Sequence, residues 1–392
     1  MTEVISLIAV LWLLYLYECL FWPPAETVVF HSLGLGRWQW MSVSNWLAPL
    51  ERGIFLGNPL PPLGGALSVP RAGYAISPDG VYAWSPEFAR DPGLLQDADG
   101  FHSTWQTLGA VRSDGRIVFI GDKPFAKLPD AGAARRLSGL LKRLKDMPAA
   151  ERAKAIDDAN ARRFDLAAAT YRWSQLQSAA RGLRVACNLL FLTLMVAGPV
   201  ASLTIGLGQT WWWWLPSAGV FWLLTLIMFY AAHRSLYPED GGERGEKLLN
   251  MFLLPVAAVR ACDRLWFGAL RGFHPLVVGR LVLPAEEYAD FAQQVLRALQ
   301  FMPPPLSPRS PLAAKIAGWS TEHLQSAALG FAHSTGVNIA ADAGAPIAAD
   351  DECESYCPRC RTQYRRGTFA CSDCGGVPLR ALRPSSAAVA RV

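Results

Sequence analysis

The sequence predicts an α-helical membrane protein with three spans, a cytosolic α+β domain and a small cysteine-rich module at its C-terminus. Three observations carry that prediction. Apolar residues make up 52% of the 392-residue chain and charged residues 18%, a balance shifted toward the membrane class. Three apolar runs approach the roughly 20 residues needed to cross a hydrocarbon core. Five of the eight cysteines crowd into 353–374, four of them as two C-x-x-C pairs.

The first span is read at 4–22. Its leader Met1-Thr2-Glu3 has no basic n-region, and the run ends in Phe21-Trp22-Pro23-Pro24 rather than a small-residue cleavage site. It therefore reads as an uncleaved anchor and not as a secretory signal. Glu18 lies four residues before Trp22, close enough to the end of the span for its carboxylate to reach the interface. The second span is read at 183–207, with Arg184 at its edge, and the third at 211–232, closed by His233 and Arg234. Trp211, Trp212, Trp213 and Trp214 read as an interfacial belt, since the indole ring is apolar while its N–H wants a polar partner. A fourth run, 248–259, is too short to span and is expected at the interface or packed on the cytosolic domain.

Orientation follows from the positive charges. None precedes the first span, 18 Lys and Arg lie in 23–180, and none lies in 208–210. The N-terminus is expected outside, both soluble regions in the cytosol, and the second and third spans in a tight hairpin. Paired C-x-x-C spacings point to metal rather than a disulfide framework, which also implies a reducing compartment. The Ala- and Arg-rich composition suggests a bacterial inner membrane.

Within the 23–180 domain, 23–65 is rich in Trp, Pro and Gly and shows no clear period. Gly34-Leu35-Gly36 is a turn, because the third Gly of a dinucleotide fingerprint is missing. Tyr74-Ala75-Ile76-Ser77 and 81–84 flank Pro78-Asp79-Gly80 as a hairpin, and 105–112 and 116–120 flank Ser113-Asp114-Gly115 as a second. The four strands are expected to form one small antiparallel sheet. A helix over 131–145 carries Leu137, Leu140, Leu141 and Leu144 on one stripe, expected to cover that sheet, with an anionic lipid surface as the alternative. Pro148 opens a further helix running through Ile156, Phe164 and Tyr171 toward the second span.

A juxtamembrane helical region is expected at 240–302. Its clearest helix opens at Pro284 with Glu286 and Glu287 in the first turn and carries Tyr288, Phe291, Val295, Leu296 and Leu299 on one face. The segment 303–352 reads as a linker with a short helix near 312–329. No catalytic or organic-cofactor residues emerge. Gly245-Glu246-Lys247 lacks the flanking residues of a phosphate-binding loop, H-E-x-x-H and G-x-S-x-G are absent, and the six His are dispersed. Few charges inside the spans argue against ion transport.

The module at 353–380 is the most specific signal. Cys357-Pro358-Arg359-Cys360 and Cys371-Ser372-Asp373-Cys374-Gly375 are two knuckles separated by ten residues. Two residues between thiolates let both sulfurs face one ion, and Gly375 tolerates the tight backbone after the second pair. Cys357, Cys360, Cys371 and Cys374 are the expected ligands of a structural zinc, with Cys353 outside the site. Iron in a rubredoxin-like site would use the same four thiolates, but the short spacer favours zinc. Over 353–378 the sequence resembles the short zinc-ribbon modules found at the ends of many bacterial proteins. That resemblance implies a metal and a fold but no activity.

Arg359, Arg361, Tyr364, Arg365, Arg366 and Phe369 lie between or beside these ligands as a candidate partner-binding face. Arginine interleaved with aromatics can grip phosphates and stack bases. The zinc-bound tail would carry only about +3, however, once the thiolates are counted. That neutralises few phosphates, so a cytosolic protein is preferred over nucleic acid as the partner. The sequence thus points to a membrane-anchored scaffold or adaptor. The alternatives are a membrane-bound enzyme or transporter whose site the sequence does not display, and a membrane-tethered nucleic-acid-binding protein.

Overall fold

The computed structural model describes residues 2–21, 26–31, 39–42, 55–56, 64–68, 74–83, 101–128, 131–266, 269–270, 272–301, 310–337, 345–350, 352–372 and 377–382. Helix α1 (Thr2–Cys19) is apolar nearly all round, burying Tyr15 and Cys19 and exposing Val10, Leu13 and Tyr17. Short strands follow where no period was readable: β1 (Leu20–Phe21), β2 (Glu26–His31), β3 (Gln39–Ser42), β4 (Phe55–Leu56) and β5 (Gly64–Ser68). They pair as β1 with β4 and as an antiparallel sheet of order β3-β2-β5.

Strands β6 (Tyr74–Ser77) and β7 (Gly80–Ala83) form the first expected hairpin, and β8 (Phe101–Thr104) adds to its edge. Strands β9 (Val111–Asp114) and β10 (Ile117–Ile120) form the second, extended by β11 (Lys123–Lys127). The single four-stranded sheet expected from sequence is therefore two three-stranded sheets. The second hairpin also starts at Val111 instead of 105, because Trp105 leaves the ladder to link the sheets. Its indole N–H donates to the Ser77 carbonyl at 2.9 Å from a site only 2% exposed.

Helix α2 (Ala131–Asp146) lays Leu137, Leu141 and Leu144 into the core formed with β9 and β10, so its stripe covers a sheet. Helix α3 (Ala149–Ala161) follows Pro148. The single helix expected from there to the second span is interrupted at Asp165, whose carboxylate accepts the Ala168 N–H at 2.9 Å and starts α4 (Leu166–Phe191) afresh. A π segment, Leu192–Ala197, joins α4 to α5 (Gly198–Thr204). Chain reversal comes at Gly206 (φ +90°), earlier than the expected 208–210 link, and α6 (Leu207–Leu236) follows. Gly198 is required at the top of this hairpin, since a Cβ there would lie 2.1 Å from the Trp214 indole. Three rods, Thr2–Cys19, Leu166–Thr204 and Leu207–Leu236, are long and apolar enough to cross a membrane.

The run 248–259 is not one helix. Helix α7 (Gly241–Leu253) ends before Pro255, which cannot continue it, and α8 (Pro255–Ala258) and α9 (Ala261–Trp266) follow. Helix α7 lies antiparallel along α6, with the Arg244 guanidinium 5.3 Å from the Tyr230 ring centre and the Trp222 indole donating to the Met251 carbonyl at 2.9 Å. Val256, Ala257, Ala258 and Leu265 are buried in the core shared with α1, α4 and α6. Glu18 does not run to solvent but pairs with Arg264 at 2.7 Å.

Helices α10 (Pro275–Val282) and α11 (Ala285–Gln300) come next, and the expected face of α11 is buried at all five positions, Tyr288, Phe291, Val295, Leu296 and Leu299. The short helix expected near 312–329 is the 24-residue α12 (Pro311–Ser334), longer than expected at its C-terminal end; opened by Ser310, it packs Ala313 and Ile316 against Ala75 and Tyr82. Its buried positions Ala313, Ala328 and Ala332 are small, which is why the sequence showed only a weak apolar stripe.

Candidate metal centre

The C-terminal module is built on β12 (Cys353–Tyr356), β13 (Gln363–Arg365), β14 (Ala370–Cys371), β15 (Val377–Pro378) and β16 (Arg380–Ala381). Strand β12 is central, flanked by β13 and β16, while β14 pairs with β15. Between β12 and β13 the chain folds tightly around Cys357 and Cys360. The Cys357 N–H donates to the Thr362 carbonyl at 2.9 Å and the Arg361 N–H to the Cys357 carbonyl at 2.8 Å. Closing this turn places Arg361 at φ +65°, a left-handed conformation that favours glycine.

This turn and β14 bring the sulfurs of Cys357, Cys360 and Cys371 within 4.8 Å of one another. The Cys360 and Cys371 sulfurs are 3.7 Å apart. A disulfide would hold them at about 2.05 Å, whereas thiolates ~2.3 Å from a tetrahedral ion lie ~3.8 Å apart. The spacing fits a shared ion. Cys357 and Cys371 are buried and Cys360 is exposed, and the Tyr364 hydroxyl lies 3.0 Å from the Cys371 sulfur, placed to donate to a thiolate. Cys374 lies outside the described residues. Cys353 is not part of the cluster: it opens β12 beside Asp350, and a hydrogen bond to that carboxylate pushes its thiol above the ordinary range.

The module is not simply tethered. Cys357, Cys371 and Val377 pack with Phe301, which follows α11 directly, and the Arg380 guanidinium sits 4.6 Å from the Phe301 ring centre. The six candidate partner-binding residues divide. Arg359 is buried and Arg361 and Tyr364 are half-buried. Arg365 pairs with Glu352 at 2.9 Å, and Arg366 donates to Glu354 at 2.8 Å. Phe369 is 86% exposed. Sequence reasoning missed the two acids because pairing of Arg366 with Glu354 depends on the β12–β13 register, which no local pattern specifies.

The histidines with described partners hold structure. His274 caps α10, its Nδ1 accepting the Leu276 N–H at 3.3 Å, and stacks on Phe164, while His323 stacks on Trp319. The chain matches no family model, no curated protein and no solved structure.

Proposed function

We propose that this chain is a membrane-anchored adaptor whose C-terminal module, held together by zinc, presents a docking face to a cytosolic protein. The three long helices support the anchoring, since Leu13, Leu192 and Ile227, one on each, project with more than half of their surface exposed. Such apolar surface is stable against lipid tails and unfavourable in water. The N-terminus lies outside, the C-terminus in the cytosol, and a bacterial inner membrane is the setting. Cys374 supplies the fourth thiolate. A closed four-thiolate zinc site contributes folding energy to a module too small for a core of its own.

The observation that carries the docking reading is Phe369, 86% exposed beside the metal cluster while Arg365 and Arg366 are already paired with acids. A projecting phenyl ring suits a pocket on a protein partner. Nucleic-acid binding needs uncompensated cations to displace counterions from phosphates, and here the two arginines nearest Phe369 already have acidic partners.

The test uses the full-length protein. Purified in detergent, it should carry one zinc per chain, lost in Cys357→Ser. A photoreactive residue at position 369 should crosslink one cytosolic protein reproducibly in cells, and not in the Cys357→Ser background. Reporters after Val392 and near Gly100 should both read cytosolic. Nucleic-acid binding that persists at physiological salt and is lost in Phe369→Ala would overturn the protein-docking reading.

A further inference from the structure

Helix α7 is amphipathic around its circumference, and its charges also gather at one end of its length. Glu243, Arg244, Glu246 and Lys247 all fall in its first half, and no charged residue follows until Arg260. Leu249, Phe252, Leu253 and Leu254 in and just after its second half are exposed, Leu253 at 66%. A helix lying flat at an interface keeps a polar side along its whole length. Here the charges stop at Lys247, and only Asn250 continues the polar side into the second half.

The packing sets the depth of each end. Arg244 lies at Tyr230, near the end of α6, whereas Met251 and Phe252 lie at Trp222, the middle of the apolar stretch of α6. The 13 residues of α7 climb about 20 Å at 1.5 Å per residue, enough to reach the middle of a core about 30 Å thick. The chain then returns. Ala258 meets Cys187 of α4, Arg264 meets Glu18 near the end of α1, and the Leu265 carbonyl accepts from the hydroxyl of Tyr237, the residue after α6. Entrance and exit are on the same side.

Backbone that turns at membrane depth must have its polar groups satisfied within the protein. At this tip Pro255 has no N–H to satisfy. The Trp222 indole donates to the Met251 carbonyl at 2.9 Å, the Leu254 N–H donates to Asn250 at 3.0 Å, and the Ala257 N–H to Leu254 at 2.8 Å. The returning limb, Val256 to Val259, is buried against α1, α4 and α6, so the outer limb alone faces outward.

We infer that 241–266 is a re-entrant hairpin that enters the bilayer from the side where α6 ends, turns at Leu254-Pro255 near mid-depth, and presents Leu249, Phe252 and Leu253 to lipid hydrocarbon. The occupant of this face is lipid because the face continues the exposed apolar surface of α6 at Val220, Leu223 and Ile227. The inference rests on the membrane reading proposed above.

The test places cysteine at Glu246, Leu253 and Ile227, one at a time, in the full-length protein in native membrane vesicles. A membrane-impermeant charged maleimide reaches both faces after freeze–thaw, and peptide mass spectrometry reads each site separately from the native cysteines. Glu246→Cys should label readily. Leu253→Cys and Ile227→Cys should label at least about tenfold more slowly, since a thiol in hydrocarbon neither ionises nor meets the reagent. Detergent should not be needed to label Glu246→Cys. Labelling of Leu253→Cys as fast as Glu246→Cys, with Ile227→Cys protected, would place α7 on the surface and overturn the hairpin alone. Fast labelling of all three would overturn the membrane reading itself.

Discussion

Helices α7 and α11 are both amphipathic segments following the last long rod, yet they meet different surroundings. Helix α11 hides its apolar face inside protein, with Phe291 fully buried against Gly279 of α10. Helix α7 buries Met251 and leaves Phe252 and Leu253 more than half exposed. Periodicity states that a face exists; it does not name what covers it. The difference comes from Trp222 and the buried returning limb, which hold α7 upright along α6.

The largest expected effect separates two phenylalanines. Phe291→Ala should lower stability in detergent by about 3–5 kcal/mol, as for a large ring deleted from a packed core. Phe252→Ala should lower it by about 1 kcal/mol, reflecting its aromatic contact with Trp222. Similar losses in thermal unfolding would dissolve the distinction. Glycines sharpen it next. A Cβ at Gly279 would lie 2.2 Å from the Phe291 ring, so Gly279→Ala should cost about 1–3 kcal/mol. Gly245 of α7 has open space around it, and Gly245→Ala should stabilise by about 0.5–1 kcal/mol through helix propensity. The opposite signs are the readout.

The cysteine module extends the comparison to a region held by neither face. Relieving the left-handed Arg361 with Arg361→Gly should stabilise the module by about 1 kcal/mol, seen as slower loss of bound metal to a chelator. Faster loss would mean that Arg361 contributes contacts worth more than its strain.

A pH-dependent effect concerns the base of α7. Burial, with a hydrogen bond that the protonated Asp240 donates to the Glu243 carboxylate, pushes Asp240 up from 3.8 to about 7. Burial opposes ionisation of Glu243 too, but Asp240, Lys247 and Arg116 override it and hold that carboxyl low. Between about pH 4 and 7 the folded chain therefore keeps an Asp240 proton that the unfolded chain has released, so stability falls as pH rises through that window. The Glu243 contribution has the opposite sign, present above pH 4.5 and lost on acidification below it. Hydrogen exchange across 237–250, corrected for intrinsic rates, should show looser protection at pH 8 than at pH 5. Asp240→Asn should flatten that difference; an unchanged slope would mean another group sets it.

Much of this was legible in the chain. The three apolar rods, the hairpin around Pro78-Asp79-Gly80, the Leu137/Leu141/Leu144 stripe and the buried face of α11 all follow from local patterns that repeat within a few residues. So did three of the clustered sulfurs, because C-x-x-C spacing is itself a local geometry. The helix expected near 312–329 is α12; what escaped was its extension to Ser334 and its packing on Ala75 and Tyr82, because alanines packing against neighbours give little periodic signal.

By itself, then, the sequence determined where apolar length, turn chemistry and thiol spacing occur, since each depends on residues near one another along the chain. Only the tertiary structure decided that Glu18 meets Arg264, that Arg365 and Arg366 are compensated by Glu352 and Glu354, and that 248–259 breaks into one limb facing outward and one buried. Those outcomes depend on strand register and on which helices meet. A short polar or apolar stretch does not encode its partner, because Coulombic and hydrophobic attraction carry no address until packing supplies one.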